Sequence, residues 1–325
     1  MSRALPTYAI VTAVRDEERF FRTTGLSVIA QTHRPRQWVI VDDGSKDRTR
    51  SIAESFAAQH DWITVVDSGV DHARARGAPI VAAFNTGRDA LARRSDLIVK
   101  MDGDLFLPAN YFEWVAATFA HDPRAGIVGG VVLIHDGECW RVDAGSHHNV
   151  NGVAKAYRVD CLEEIGGLRP SMGWDGIDEY GAKSRGWRVH VLRELSILHY
   201  ERRGAKQPWH RARFEEGRGA HFMGYLPAFL LVRALYRMLV ERPPVLGGLA
   251  LLAGFFYAHL AGADQIDDEL ARASLRAEQR ARLARLARGK SQLAVEPLPG
   301  GGPAFWVTQP VPEDVRAGVG NRGIS

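Results

Sequence analysis

Two acidic clusters in this chain follow apolar, β-branched runs. Val39-Ile40-Val41 leads into Asp42-Asp43-Gly44-Ser45, and Leu97-Ile98-Val99-Lys100-Met101 leads into Asp102-Gly103-Asp104. Carboxylates just past the C-terminal edge of an open α/β sheet stand where such sheets bind ligands. Two Asp one residue apart can converge on a hard cation once the chain turns. A divalent ion held there can neutralise the charge of a departing diphosphate, and Gly103 keeps the turn open to close approach. The bland alternative is a polar turn after a buried strand, where Asp and Gly are ordinary; the strand context favours the metal. A carboxylate at Asp42 or Asp43 can accept the N–H of a pyrimidine or bond ribose hydroxyls. The same four residues also suit a plain strand-to-helix turn, with Ser45 or Asp47 as the cap. Together the two turns suggest a metal-assisted nucleotide-sugar site.

The elements that must position these groups alternate. Tyr8–Thr12, Gln37–Val41, Trp62–Val66, Leu97–Met101 and Gly126–Ile134 read as strands, short and rich in β-branched residues. Residues 17–31, 47–59 and 80–91 read as helices, and Pro108 suits the first turn of another through Phe119. This rhythm is an α/β domain with a largely parallel sheet. Beyond it, Asn151–Tyr157 and Trp187–Leu192 read as further strands. Leu162–Gly167 and Asp175–Gly186 read as helices closed by glycine.

Composition narrows the field. The 325 residues are 46% hydrophobic, enough for a large domain with appendages. The formal charge of +4 does not indicate a nucleic-acid binder, although the pI is about 9.2. Cys139 and Cys161 give neither a disulfide framework nor a zinc spacing, so a reducing compartment is the simpler reading. The stretch Met1 to Pro6 runs straight into a strand and shows no signal-peptide core.

The order Ile10-Val11-Thr12-Ala13-Val14-Arg15-Asp16-Glu17, then Val41 to Ser45, then Lys100 to Asp104 and Pro108, resembles family 2 glycosyltransferases of the GT-A fold over roughly residues 6–200. The resemblance implies an inverting transferase using a nucleotide-diphospho-sugar and a divalent cation, Mg2+ or Mn2+. Carried over by position, it implies that Thr12, Ala13 and Val14 line the nucleoside pocket. Asp43 would meet the base, with Asp42 beside it. Arg74 or Arg76 would face the diphosphate. Asp102, with Gly103, would meet ribose or metal, and Asp104 would be the main metal ligand. His199 is a third metal ligand by resemblance, with a buried structural histidine as the alternative. The family's catalytic base falls on Asp175, counted back from Gly186, although Trp174 stands where an acid is usual. Asp178 and Glu179 share a helical face with Asp175, and all three also suit a capped first turn. Trp174 and Trp209 are candidate sugar platforms for the acceptor, or ordinary packing. His147 and His148 lie in a polar stretch that faces either acceptor or solvent.

The C-terminal third is apolar from Tyr225 to Gly262. Val245–Gly262 is about 18 residues, short of the ~20 that span a bilayer comfortably. It reads as hairpin helices packed on the core or a second subunit, or as a membrane-surface element. In the second case Arg233, Arg237 and Arg242 would meet anionic headgroups. Residues 264–290 read as a basic helix.

The expected organisation is a catalytic domain at 1–205, a helical extension at 206–290 and a tail at 291–325 without a packed core. Within the first, 6–130 would be the nucleotide-sugar half and 131–205 the acceptor half. The expected function is metal-assisted transfer from a UDP- or GDP-sugar to a glycan or lipid-linked hydroxyl, in cell-envelope or exopolysaccharide synthesis. That work would be cytoplasmic or on the inner face of the membrane. Transfer to a polyprenyl phosphate is the closest competitor. A sugar nucleotidylyltransferase or a non-catalytic nucleotide-sugar-binding module are the readings from other classes. The first usually opens with a Gly-rich loop ending in Arg and Lys, which Ala13-Val14-Arg15-Asp16 lacks; the second has no need of a third acidic cluster.

Overall fold

A computed structural model describes residues 4–69, 79–135, 140–143, 149–170, 173–200, 208–240 and 244–288. The first half alternates β1 (Tyr8–Val14), α1 (Phe21–Ile29), β2 (Gln37–Asp42), α2 (Thr49–Ala57), β3 (Ile63–Asp67), α3 (Pro79–Asp89) and β4 (Leu97–Met101). These four strands pair in parallel in the order β3-β2-β1-β4. Then come β5 (Leu105–Phe106), α4 (Tyr111–His121), β6 (Ala125–His135), β7 (Trp140–Val142), β8 (Ala154–Arg158), α5 (Val159–Glu164), α6 (Trp174–Ser184) and β9 (Arg188–His199). β8 joins β4 antiparallel, and the sheet continues β8-β6-β9-β5, with β7 beside β6. The result is a nine-stranded mixed sheet, parallel through β3-β2-β1-β4 and between β6 and β9, and antiparallel at its other pairings.

The central strands are continuous apolar runs because both faces of the sheet are covered. Alternate residues of β1 serve opposite cores. Ile10 packs with Phe21, Trp38 and Phe56 on one side. Val11 packs with Val41, Phe84 and Tyr157 on the other. Helix α3 approaches closely at Gly87, where a Cβ would lie 2.4 Å from Val11 Cγ1.

Helices α7 (Trp209–Phe222), α8 (Pro227–Val240), α9 (Leu246–Leu260) and α10 (Glu269–Ala287) complete the described chain. They are not a detached appendage. Leu275 of α10 and Ile266 pack on Ile177 of α6 and on Met223. Asp268 caps α10 by accepting from Ala271 N at 3.0 Å and pairs with Arg185 at 3.1 Å. Helices α7 and α9 cross at glycines. A Cβ on Gly217 would lie 2.0 Å from Leu251 O, and one on Gly254 1.9 Å from Phe214 O. Among the described residues, no helix is long and apolar enough to cross a membrane.

Three elements depart from expectation. The strand read as Trp187–Leu192 runs on to His199, across a register irregularity between Gly130 and Val131 of β6. The two-residue β5 pairs with its far end, Leu105 opposite His199. Helix α7 occupies a segment whose periodicity is obscured by glycines and charges.

Candidate functional site

Strands β1, β2 and β4 end side by side, so their C-terminal turns converge. The Asp102-Gly103-Asp104 turn is pinned from α1. Thr24 Oγ1 lies 2.7 Å from the Gly103 and Leu105 carbonyls, donates to one of them, and accepts from Leu105 N at 2.9 Å. The β5–β9 pairing then delivers His199, whose Nε2 stands 3.1 Å from Asp104 Oδ2. Asp104 and His199 are both buried. One ligand atom each from Asp102, Asp104 and His199 lies within 4.8 Å of the others. Two carboxylates and an imidazole form a donor set suited to Mn2+, and the carboxylates to Mg2+. The residues fit a divalent cation.

Lys100 was not anticipated here. Its ammonium bonds Asp102 Oδ1 and donates to Gly152 O at 2.7 Å. A cation at Asp102 would share that carboxylate with Lys100. Gly103 is needed for packing: a Cβ would sit 2.7 Å from Val14 Cγ1.

At the nucleoside end, Asp43 N donates to Val14 O at 2.9 Å, and Ser68 Oγ donates to Asp43 Oδ1 at 2.6 Å. Asp43 is half-buried and Ala13 half-buried beside it. Asp42 is buried in the turn, accepting from Ser45 N at 3.3 Å, with Arg50 Nη1 3.6 Å away. Thr12 and Val14 turn their side chains into the core, and Thr12 Oγ1 accepts from Trp38 Nε1 at 3.0 Å. Only backbone of those two remains for a ligand. Arg74, Arg76, His147 and His148 lie outside the described residues.

The third acidic cluster divides sharply. Asp178 and Glu179 are buried around Lys155. Lys155 Nζ is 2.9 Å from Asp178 Oδ1 and 3.2 Å from Glu179 Oε1. Tyr157 donates to Asp178 Oδ2, and Val150 N to Glu179 Oε1 at 2.7 Å. Burial pushes Glu179 up to about 7 and raises Asp178. Burial alone would depress the Lys155 ammonium, but the carboxylates of Asp178, Glu179 and Asp175 overcome it and raise it. Asp175 differs. Its backbone carbonyl accepts from Lys155 at 2.6 Å, which anchors the first turn of α6, while its residue is half-buried. It lines a cavity of about 380 Å³ with Asn151, Tyr180, Glu216, Met223 and Arg233.

Lys100 and Lys155 stand opposite each other in the β4–β8 register. One holds the Asp102 turn and the other holds α6, so this pair ties the cation cluster to the acidic helix. A lone lysine inside each buried apolar strand was the available signal. Two expectations need correction. Trp174 is buried, with Lys100 Nζ 5.2 Å from its ring centroid, so it roofs a lysine instead of offering an open platform. Arg233 and Arg237 turn onto Glu216 and not toward headgroups; Arg242 lies outside the described residues.

Parts of this chain are similar to known proteins. Residues 9–161 match the family described as Glycosyl transferase family 2. A curated relative, the glucosyl-dolichyl phosphate glucuronosyltransferase of Haloferax volcanii, is 27% identical over 192 residues, covering 52% of this chain. The match spans 58% of that protein's length. Among solved structures, S. aureus TarS 1-349 in complex with UDP-GlcNAc superposes with a TM-score of 0.50 at 15% identity, over 79% of this chain and 73% of that one. A mannosyltransferase from Pyrobaculum calidifontis in complex with GDP-Man and Mn2+ gives 0.49 at 20% identity, over 93% and 78%.

Proposed function

We propose, on the premise that this chain belongs to glycosyl transferase family 2, that it moves a sugar from a nucleotide-diphospho-sugar to an acceptor hydroxyl with inversion. The observation that carries this reading is the separation of roles on α6. Asp178 and Glu179 are spent on Lys155, Tyr157 and Val150, whereas Asp175 lines the cavity. Asp175 is the base. The acceptor oxygen attacks the anomeric carbon as its proton passes to Asp175, and the bond to the diphosphate breaks on the opposite face. The nucleoside diphosphate departs with the bonding electrons.

Asp102, Asp104 and His199 would hold the divalent cation, whose charge, when bound, offsets that of the leaving group. Asp43 contacts the base of a UDP- or GDP-sugar, with Asp42 shaping the turn. By the family resemblance, Arg74 or Arg76 would face the diphosphate. The catalytic unit is 1–205, with 206–290 as its helical extension.

The acceptor is a lipid-linked glycan hydroxyl in envelope or exopolysaccharide synthesis. The Haloferax relative's name supports a lipid phosphate on the acceptor side. A second observation supports work at the inner membrane face. Leu231, Leu235 and Leu239 of α8, with Leu246, Leu249, Phe256 and Leu260 of α9, are all exposed large apolar side chains. Their spacing of three, four and seven residues makes a stripe on each helix, as in helices that lie in an interface without crossing it.

Asp175→Asn tests the base. Turnover should fall about 100- to 10,000-fold, the usual worth of a positioned base, with donor affinity kept. Unchanged turnover would sink the assignment. It would favour a polyprenyl phosphate acceptor, which is already ionised.

A further inference from the structure

Strand β4 carries a lysine into a place where its charge cannot reach water. The Lys100 side chain is 4% exposed, against 23% for Asp102. Its ammonium donates to Asp102 Oδ1 and to Gly152 O at 2.7 Å, and the Trp174 ring centroid lies 5.2 Å away. Among the described residues, Asp102 is the only carboxylate within ion-pair reach of Lys100. Lys155, opposite it in the β4–β8 register, is a second positive charge, already matched by Asp178 and Glu179. A cation that took Asp102 whole would leave a buried ammonium without its counter-charge, which is strongly unfavourable. The turn itself has other anchors. Asp102 N donates to Val153 O at 2.8 Å, and Thr24 holds the residues that follow. Lys100 therefore contributes charge to this turn more than shape.

We propose that Lys100 is a positioning residue that keeps Asp102 Oδ1 from the cation. In the absence of nucleotide it makes the cluster a weak cation site, so that cation and nucleoside diphosphate are held well only together. The assignment rests on the reading of Asp102, Asp104 and His199 as the cation site. Ammonium and cation would share one carboxylate, and burial leaves their repulsion little screened. The diphosphate supplies the negative charge that offsets both. By linkage, the factor by which the diphosphate tightens the cation is the factor by which the cation tightens the diphosphate.

Mn2+ binding to the full chain, read by electron paramagnetic resonance of the free ion with and without UDP or GDP, tests this without turnover. In the wild type, Mn2+ alone should bind weakly, and the better nucleotide should tighten it about tenfold or more. Lys100→Met keeps the length and loses the charge, and Lys100→Gln also keeps a donor. Each should tighten Mn2+ alone by about tenfold and shrink the gain from nucleotide. A lysine that only shapes the turn would give the reverse, with weaker Mn2+ binding in both variants. Weaker or unchanged binding of Mn2+ alone by the folded variants would overturn the proposal. So would wild-type Mn2+ binding that neither nucleotide changes, a comparison that stands even if both variants misfold. Circular-dichroism melts report whether they fold. Asp104→Asn separates this role from the site itself. Mn2+ binding that survives Asp104→Asn would place the cation elsewhere and overturn both readings. Binding that it abolishes, with the Lys100 variants no tighter, would sink the Lys100 role alone.

Discussion

Asp175 and Asp178 stand one helical turn apart on α6, yet their surroundings oppose. The sequence brought both into the same acidic cluster and left the choice open, because spacing says which face a residue shares but not what fills the space before it. The partner that decides is Lys155, which reaches Asp178 and Glu179 from β8 across more than twenty positions. Glu179 gives a test of that burial. Its carboxyl is raised from 4.5 to about 7 by desolvation. The folded state therefore holds a proton that the unfolded chain releases. The stability this confers is fully present below pH 4.5 and is lost as pH rises through about 7. Its size is on the order of 3 kcal/mol at most. Glu179→Gln keeps an acceptor for Val150 N and removes the titration. Melting curves from pH 4.5 to 7.5 should show the wild type losing stability relative to the variant. Parallel curves would contradict a buried, raised Glu179. Asp104 and the Asp102 turn were legible as strand-end carboxylates. Lys100 stands in the sequence only as a lysine within an apolar run, and nothing in that spacing shows its bond to Asp102.

At the scale of elements, the parallel half of the sheet was readable because buried strands and amphipathic helices carry distinct periods. The full length of β9 is hidden in the sequence, because past Leu192 it passes through Arg193, Glu194 and a register irregularity before Leu195 and Ile197 are buried. That extension is what carries His199 to Asp104. Helix α7 falls within the expected helical extension, but its bounds are hidden for a related reason: Gly217 and Gly219 lower helical propensity, and their purpose lies in another helix. Gly217 and Gly254 let α7 and α9 approach backbone to side-chain distance. Gly217→Ala should destabilise the protein by about 1–3 kcal/mol, the usual cost of overpacking, against a gain of under about 1 kcal/mol from propensity alone. Denaturant unfolding measures the sum. A stabilised variant would show that the α7–α9 crossing is looser than described.

At the scale of the molecule, the C-terminal helices make one wall of the cavity and one exposed apolar face. Hydropathy alone could not separate a packed hairpin from a membrane contact, since α9 does both: Leu251 and Phe255 are buried while Leu249, Phe256 and Leu260 are exposed. The full chain should float with anionic liposomes, and Leu235→Glu/Leu239→Glu should reduce the floated fraction several-fold. Equal flotation of variant and wild type would remove the face from membrane contact. The central claim, a cation-dependent nucleotide-sugar site at the strand ends, is tested most directly by calorimetric titration of UDP- and GDP-sugars with and without Mn2+, on wild type and Asp104→Asn. The expected result is binding that requires Mn2+ in the wild type and falls at least tenfold in the variant. Binding that ignores the cation, or that the variant leaves intact, would contradict it.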